Sequence, residues 1–174
     1  MKLNAQELRQ LKENSKIPSL KRNPIYLILD NIYDTYNIGG LFRLADALNM
    51  KKIYLCGQTE IPPNSKIKKA SIGTYKIVPW EYKKSAVEVI EELRKINNPS
   101  ITITAIEQHP SSISYFKAEY KPPIALILGN ETFGISQEAL KLADMIVEIP
   151  MFGINKSLNV IVSAGIIGYH IYHS

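Results

Sequence analysis

The chain has 174 residues, 45% of them hydrophobic, which is about the size of one domain with a sizeable core. It carries 21 Lys and Arg against 16 Asp and Glu, a net charge of +5. The first 22 residues hold Lys2, Arg9, Lys12, Lys16, Lys21 and Arg22 against Glu7 and Glu13, and six against two leaves +4 there, a balance suited to a polyanionic partner. Cys56 is the only cysteine, which rules out an intramolecular disulfide and a multi-cysteine metal site and fits a reducing, cytoplasmic setting. No run approaches the roughly 20 apolar residues of a membrane span, so no membrane partner is expected.

In chain order, residues 4–14 place Leu8 and Leu11 on a narrow apolar stripe and predict a short amphipathic helix, followed by a basic linker between Pro18 and Pro24. Residues 1–24 are thus expected to be a basic helix and linker ahead of a domain over 25–174. Apolar runs then recur at 25–29, 52–55, 76–78, 101–106, 124–128 and 145–149. Helical patterns lie between and after them at 39–48, 83–96, 136–142 and 157–172. Short apolar runs without polar alternation are what strands buried on both faces look like, and their alternation with helices predicts an α/β fold with a mostly parallel, six-stranded sheet. Pro62-Pro63-Asn64-Ser65 and Lys121-Pro122-Pro123 read as loops.

Ligands gather beyond the carboxyl ends of such strands, and three places there carry polar residues and glycines. The first, Asn37-Ile38-Gly39-Gly40-Leu41-Phe42-Arg43, predicts a helix capped by Asn37, ended by Asn49 in a left-handed conformation, with Leu41, Leu44, Ala45 and Leu48 buried. Arg43 faces away from that stripe, either paired with Asp46 on the surface or serving as a phosphate or hydroxyl clamp. The second, Leu128-Gly129-Asn130-Glu131-Thr132-Phe133-Gly134, is a glycine-bounded turn after a buried strand, with no Lys-Ser/Thr pair to make it a phosphate-binding P-loop. The third runs from Ile149 through Pro150, Met151 and Gly153 to Ser157, read as the cap of an apolar helix, with Leu158, Asn159 and Val160 behind it. That helix contains Gly165 and Gly168, each costing up to about 1 kcal/mol relative to alanine, so close packing is expected against it.

Together these segments resemble the three signature motifs of the SpoU (TrmH-like) family of the SPOUT superfamily: Asn37, Gly39 and Arg43; Gly129, Asn130, Glu131 and Gly134; and Ile149, Pro150, Met151, Gly153, Ser157, Leu158, Asn159 and Val160. They occur in the family's order and the resemblance spans about residue 25 to the end. It implies a homodimer with a C-terminal trefoil knot that binds S-adenosylmethionine and methylates a ribose 2'-hydroxyl in tRNA or rRNA, without a metal. It further implies cofactor contacts from Leu128, Gly129, Asn130, Ile149, Met151, Ser157, Leu158 and Asn159. Asn37, Arg43, Glu131, Ser157 and Asn159 match the catalytic positions. Two positions depart from the family pattern: Ile161 stands where serine is frequent, and Ser163 where alanine is common. The basic leader from Lys2 to Arg22 stands where some relatives carry a separate RNA-binding domain.

A guanidinium has a pKa above about 12 and makes a poor base, so Arg43 is expected to clamp a phosphate and stabilise a nascent alkoxide rather than accept a proton. The alternative reading is a catalytically inactive RNA-binding protein of the same fold. A Rossmann-type small-molecule enzyme is disfavoured by the missing Gly-x-Gly-x-x-Gly after the first strand. His109, His170 and His173 show no metal-ligand spacing and read as loop or helix-surface residues, while Tyr115, Phe116 and Tyr120 suit either base stacking or packing under a loop.

Overall fold

A computed structural model describes residues 2–11, 21–96 and 100–173. Its centre is a single parallel sheet of seven strands: β1 (Asn23–Asp30), β2 (Met50–Cys56), β3 (Trp80–Lys83), β4 (Thr102–Ile106), β5 (Ile113–Ser114), β6 (Ile124–Gly129) and β7 (Met145–Glu148). They lie in the order β3-β2-β1-β6-β4-β7-β5. Helices α2 (Thr35–Ala47), α3 (Ser65–Ser71) and α6 (Val160–His173) cover one face, where Leu27, Leu29, Leu55, Leu126 and Leu128 meet Ile38, Leu41, Ile67 and Ala164. Helices α4 (Ala86–Ile96) and α5 (Gln137–Lys141) cover the other, where Tyr26, Ile28, Tyr54 and Ile127 meet Val89, Ile90, Leu93 and Leu140. Burial on both faces is why the strand sequences read as unbroken apolar runs.

The sheet has one strand more than the expected six. Ile113–Ser114 adds a two-residue edge strand beside β7, too short to leave a pattern. Residues 76–78 are not a strand: a 3-10 turn covers Thr74–Lys76, and β3 begins at Trp80. As an edge strand, β3 is charged, with Lys52 and Lys83 paired to Glu81, so it carries no apolar run. Helix α3 begins at the last residue of the expected loop at 62–65 and was not anticipated; Asn64 caps it, its Oδ1 accepting the Lys66 and Ile67 N–H groups.

The leader helix α1 (Ala5–Gln10) starts with a reciprocal cap: Asn4 Oδ1 accepts the Gln6 and Glu7 N–H groups, and the Glu7 carboxylate accepts the Asn4 N–H. Its last turn rests on the body of the fold. A Cβ on Gly73, itself at φ +94°, would stand 2.5 Å from the Leu8 carbonyl oxygen, and Lys76 Nζ donates to the carbonyls of Arg9 and Leu11. Residues 12–14 of the expected helix, and residues 18–20 of the expected linker between Pro18 and Pro24, lie outside the described residues.

Two helix starts differ from expectation. Helix α2 is capped by Asp34, whose Oδ1 accepts the Tyr36 N–H at 2.8 Å, so Asn37 lies inside the first turn with its side chain free for other partners. Helix α6 is capped by Asn159, whose Oδ1 accepts the Ile161 N–H at 2.8 Å, and Ser157 remains in the preceding loop. Asn49 does end α2 with φ +48°. The close packing expected of α6 falls on Gly168, where a Cβ would lie 2.7 Å from Leu48 Cδ1, and not on Gly165, whose nearest neighbour would be 3.9 Å away.

Candidate active site

A cavity of about 580 Å³ opens beyond the carboxyl ends of β4, β6 and β7. Its size falls within the range of cofactor pockets. All eight residues expected to touch a cofactor line it: Leu128, Gly129, Asn130, Ile149, Met151, Ser157, Leu158 and Asn159. Glu131 lines it as well. The sequence reading missed Glu107, Gln108 and Glu148, which lie on the same wall. Glu107 and Gln108 directly follow the apolar run 101–106, so the rule that ligands gather beyond strand ends pointed to them.

The turn after β6 is fixed from several sides. Asn130 and Gly134 exchange backbone hydrogen bonds at 3.0 and 2.8 Å. The Asn130 Oδ1 accepts the N–H groups of Thr132 and Phe133, while its Nδ2 donates to the Asn31 carbonyl at 2.9 Å. Asn130 therefore shapes the cavity wall through backbone groups. Gly134 sits at φ +71°, and a Cβ there would meet Glu107 Oε2 at 2.5 Å. A Cβ on Gly129 would meet the Gly134 carbonyl carbon at 2.3 Å, so both glycines of the motif are demanded by the turn. Glu107 Oε2 accepts the Ile135 N–H at 3.0 Å and Asp30 Oδ2 accepts the Ser136 N–H at 2.8 Å, anchoring the far end of the turn.

Three motif residues join in one line of hydrogen bonds. Ile161 N–H donates to Asn159 Oδ1 at 2.8 Å, Asn159 Nδ2 donates to Asn37 Oδ1 at 3.0 Å, and Asn37 Nδ2 donates to Glu131 Oε1 at 2.7 Å. The direction is set at both ends, because a backbone N–H only donates and a carboxylate only accepts. Asn37 is 6% exposed and satisfies both ends of its amide this way. Glu131 is thereby held at the cavity mouth.

Arg43 is not brought to the cavity. It lies exposed on α2, and among the described residues it makes no ion pair. The surface pairing with Asp46 is not formed either: burial pushes the Asp46 carboxyl up, and the charge nearby that draws it back is Arg22. Arg22 itself donates to the carbonyls of Met50 and Ile77 at 3.1 and 2.7 Å.

The cavity is apolar on the side of Ile106, Leu128, Ile149, Met151, Leu158 and Val160 and acidic at Glu107, Glu131 and Glu148. Such a lining suits a flat heteroaromatic group attached to a positively charged centre. A smaller cavity of about 350 Å³ shares Gln108, Glu148, Ile149, Met151 and Asn155 and adds Lys156. Among the described residues no group of three or more His, Cys, Asp and Glu is placed to hold a metal.

The remaining sequence candidates sit elsewhere. His109 Nδ1 accepts the Ser111 N–H in a loop, as expected. His170 is instead half-buried, with the rings of Tyr115 and Tyr120 edge-on at 5.4 and 5.6 Å. Tyr120 packs under its loop: it is buried, its hydroxyl donates to the Tyr115 carbonyl at 2.9 Å, and burial pushes its pKa up to about 12. Phe116 is exposed.

The model of the SpoU rRNA Methylase family matches residues 24–169. The tRNA (guanosine(18)-2'-O)-methyltransferase of Thermus thermophilus is 29% identical over 148 residues, covering 84% of this chain and 74% of that protein. The 23S rRNA (guanosine-2'-O-)-methyltransferase RlmB of Neisseria meningitidis is 30% identical over 151 residues, covering 87% of this chain and 59% of that protein. Among solved structures, the SpoU methyltransferase AviRb from Streptomyces viridochromogenes in complex with AdoMet superposes with a TM-score of 0.79 at 29% identity, covering 90% of this chain and 62% of that one. The chain thus spans less than two thirds of RlmB and AviRb.

Proposed function

The chain belongs to the SpoU rRNA Methylase family, and from that membership we propose that it methylates a ribose 2'-hydroxyl of tRNA or rRNA with S-adenosylmethionine, as a homodimer. The observation that carries this reading is the line from Ile161 through Asn159 and Asn37 to Glu131, which joins residues of all three motifs at the mouth of a cavity whose lining suits that cofactor. Bound there, S-adenosylmethionine supplies a methyl group made electrophilic by its sulfonium.

Leu128, Ile149, Met151 and Leu158 would hold its apolar adenosine surface, and Glu107 and Glu148 would offset its positive charge. Glu131, aimed by Asn37, orients the ribose. The ribose hydroxyl oriented by Glu131 would take up that methyl group, its proton passing to a substrate phosphate or to water. The guanidinium of Arg43, protonated at any working pH, clamps the phosphate and stabilises charge developing on the oxygen. Arg43 lies outside its own chain's cavity, and by the family resemblance it would serve the cavity of the partner subunit. Helix α6 of each protomer, entering from a knotted 149–159 segment, forms the contact between copies. Cys56, a buried free thiol, suits a reducing cytoplasm.

Incubation with tritiated S-adenosylmethionine and separated tRNA and rRNA, followed by mapping of the labelled ribose, tests the reaction. Label in a ribose methyl is the expected result. RNA and cofactor binding without transfer would replace the proposal with the inactive RNA-binding reading. Mixed dimers of Arg43→Ala and Asn159→Ala chains should recover part of the activity that each homodimer lacks, and no recovery would reject the shared site.

A further inference from the structure

A third cavity, of about 400 Å³, lies beyond the carboxyl ends of β1 and β2, lined by Tyr33, Asp34, Thr35, Tyr36, Glu60, Asn64, Ser65 and Lys66. The mechanism above leaves it unused. Tyr36 directly precedes Asn37, so the groove begins beside the amide line that holds Glu131. Tyr36 and Arg43 are seven residues apart on one helix, two turns along the same exposed side of α2, so the groove leads toward the face that carries the clamp.

Three features give this groove the chemistry of a nucleotide chain. Tyr33 and Tyr36 are 47% and 52% exposed, leaving ring surface for a base to cover. On α3, Lys66, Lys68 and Lys69 are exposed and, among the described residues, without ion pairs. Lys52 and Lys83 at the nearby sheet edge are by contrast tied to Glu81 and Glu92. The α3 lysines are thus free to meet phosphates. Asp34 and Glu60 add carboxylates, complementary to the exocyclic amines of bases and repulsive to a bare anion; Asp34 Oδ1 already accepts the Tyr36 N–H, which leaves its second oxygen. A mixture of aromatic faces, unpaired cations and carboxylates fits unstacked nucleotides better than inorganic phosphate or an acidic peptide.

We propose that this groove holds a single-stranded stretch of the substrate RNA beside the nucleotide to be methylated, with bases on Tyr33 and Tyr36 and phosphates on Lys66, Lys68 and Lys69. The proposal rests on the RNA methyltransferase reading and names where that RNA lies.

The test uses the full chain with a fluorescent single-stranded oligoribonucleotide, the same sequence as a duplex, and poly-glutamate, titrated over a range of salt. Single strand should bind in preference to duplex. Lys66→Glu, Lys68→Glu and Lys69→Glu combined should weaken binding at least tenfold and flatten the salt slope by about 2, from about 0.7 per lost phosphate contact. Tyr33→Ala and Tyr36→Ala should each weaken binding about fivefold or more. S-adenosylmethionine affinity, thermal melting and dimerisation should stay near wild type, which separates a lost groove from a lost fold. Unchanged RNA binding in the lysine variant, equal binding of duplex, or poly-glutamate bound as tightly as RNA would each overturn the groove. If wild type methylates RNA and these variants do so with unchanged KM, the groove falls and the methyltransferase reading stands. If wild type binds single-stranded RNA through the groove yet transfers no methyl, the groove stands and the catalytic reading falls.

Discussion

Asn159 and Asn37 meet across 122 residues of sequence, the Nδ2 of one donating to the Oδ1 of the other at 3.0 Å, so that the start of α6 and the first turn of α2 share one hydrogen-bond line ending on Glu131. The line has a fixed direction, and reversing one member without the next sets like groups against each other. Asn37→Asp places a carboxylate oxygen against Glu131 Oε1, at a site now bridged at 2.7 Å. Methyl transfer should fall by about 100-fold, of the order seen on losing one oriented donor. Adding Glu131→Gln restores a donor to the pair. The double variant should recover activity relative to Asn37→Asp alone, with a coupling of at least about 1 kcal/mol in a double-mutant cycle; strictly additive losses would show that the two side chains act separately.

Arg43→Lys tests the division of labour at the oxygen. Lysine keeps the charge and loses the bidentate fork, so kcat should drop while the pH-rate profile keeps its shape. Loss of an ionisation step from the profile would instead make the guanidinium the base.

The turn from Gly129 to Ile135 depends on Glu107 as much as on its own glycines. Glu107→Ala removes the acceptor of the Ile135 N–H, and Gly134→Ala sets a methyl 2.5 Å from Glu107 Oε2 at φ +71°. Both should weaken S-adenosylmethionine binding in calorimetry, and Gly134→Ala should also cost about 1 kcal/mol or more in stability. Cofactor affinity unchanged in both variants would show that the cavity tolerates movement of this wall.

Helix α6 offers an internal control. Gly168→Ala drives a Cβ to 2.7 Å from Leu48 Cδ1 and 3.3 Å from Met50 Cε, so it should lower stability by about 1 kcal/mol net after its gain in helix propensity, read as a lower melting temperature. Gly165→Ala meets nothing nearer than Leu44 Cδ1 at 3.9 Å and should leave monomer stability equal or slightly higher. Within the proposed dimer, a weaker association of the Gly165→Ala chain by sedimentation would place this residue at the contact between copies.

Cys56 is fully buried, and burial, reinforced by the charges of Asp30 and Glu88, pushes its thiol well above the ordinary range. A thiol kept protonated and out of reach reacts only when the chain opens. Its alkylation rate in native buffer should therefore match the unfolding rate and rise with denaturant; rapid labelling of the folded protein would contradict this placement.

Much of this fold was legible because β1, β2, β4 and β6 are largely buried on both faces and their apolar runs say so. Edges were not legible: Trp80–Lys83 is stabilised by ion pairs with neighbours that no local pattern announces, and Ile113–Ser114 is too short for any period. Helix starts shifted for a related reason. Asn37 has the chemistry of a cap, but Asp34 holds that place, and the Asn37 amide is drawn instead to Glu131 and Asn159, partners that only the folded chain supplies. Most of the cavity wall was legible through motif resemblance, whereas Glu107, Gln108 and Glu148 belong to no motif. Arg43 was correctly read as turned away from its own core, and the fold adds that it is turned away from its own cavity too.

The central pairing of the sheet carries a cost in time. β1 lies between β2, its near neighbour in sequence, and β6, which begins at Ile124, so that Ile25 pairs with Ile124 and Asp30 with Gly129. Contacts of such sequence separation form slowly, because a long loop must close before they are rewarded. During synthesis, residues 23–56 can form only half of their sheet, leaving one edge of β1 unpaired and the face that α4 and α5 cover bare until more of the chain has emerged. The hydrogen-bond line from Asn159 to Asn37 closes later still, so the site on which the proposed chemistry depends is the last feature the growing chain completes.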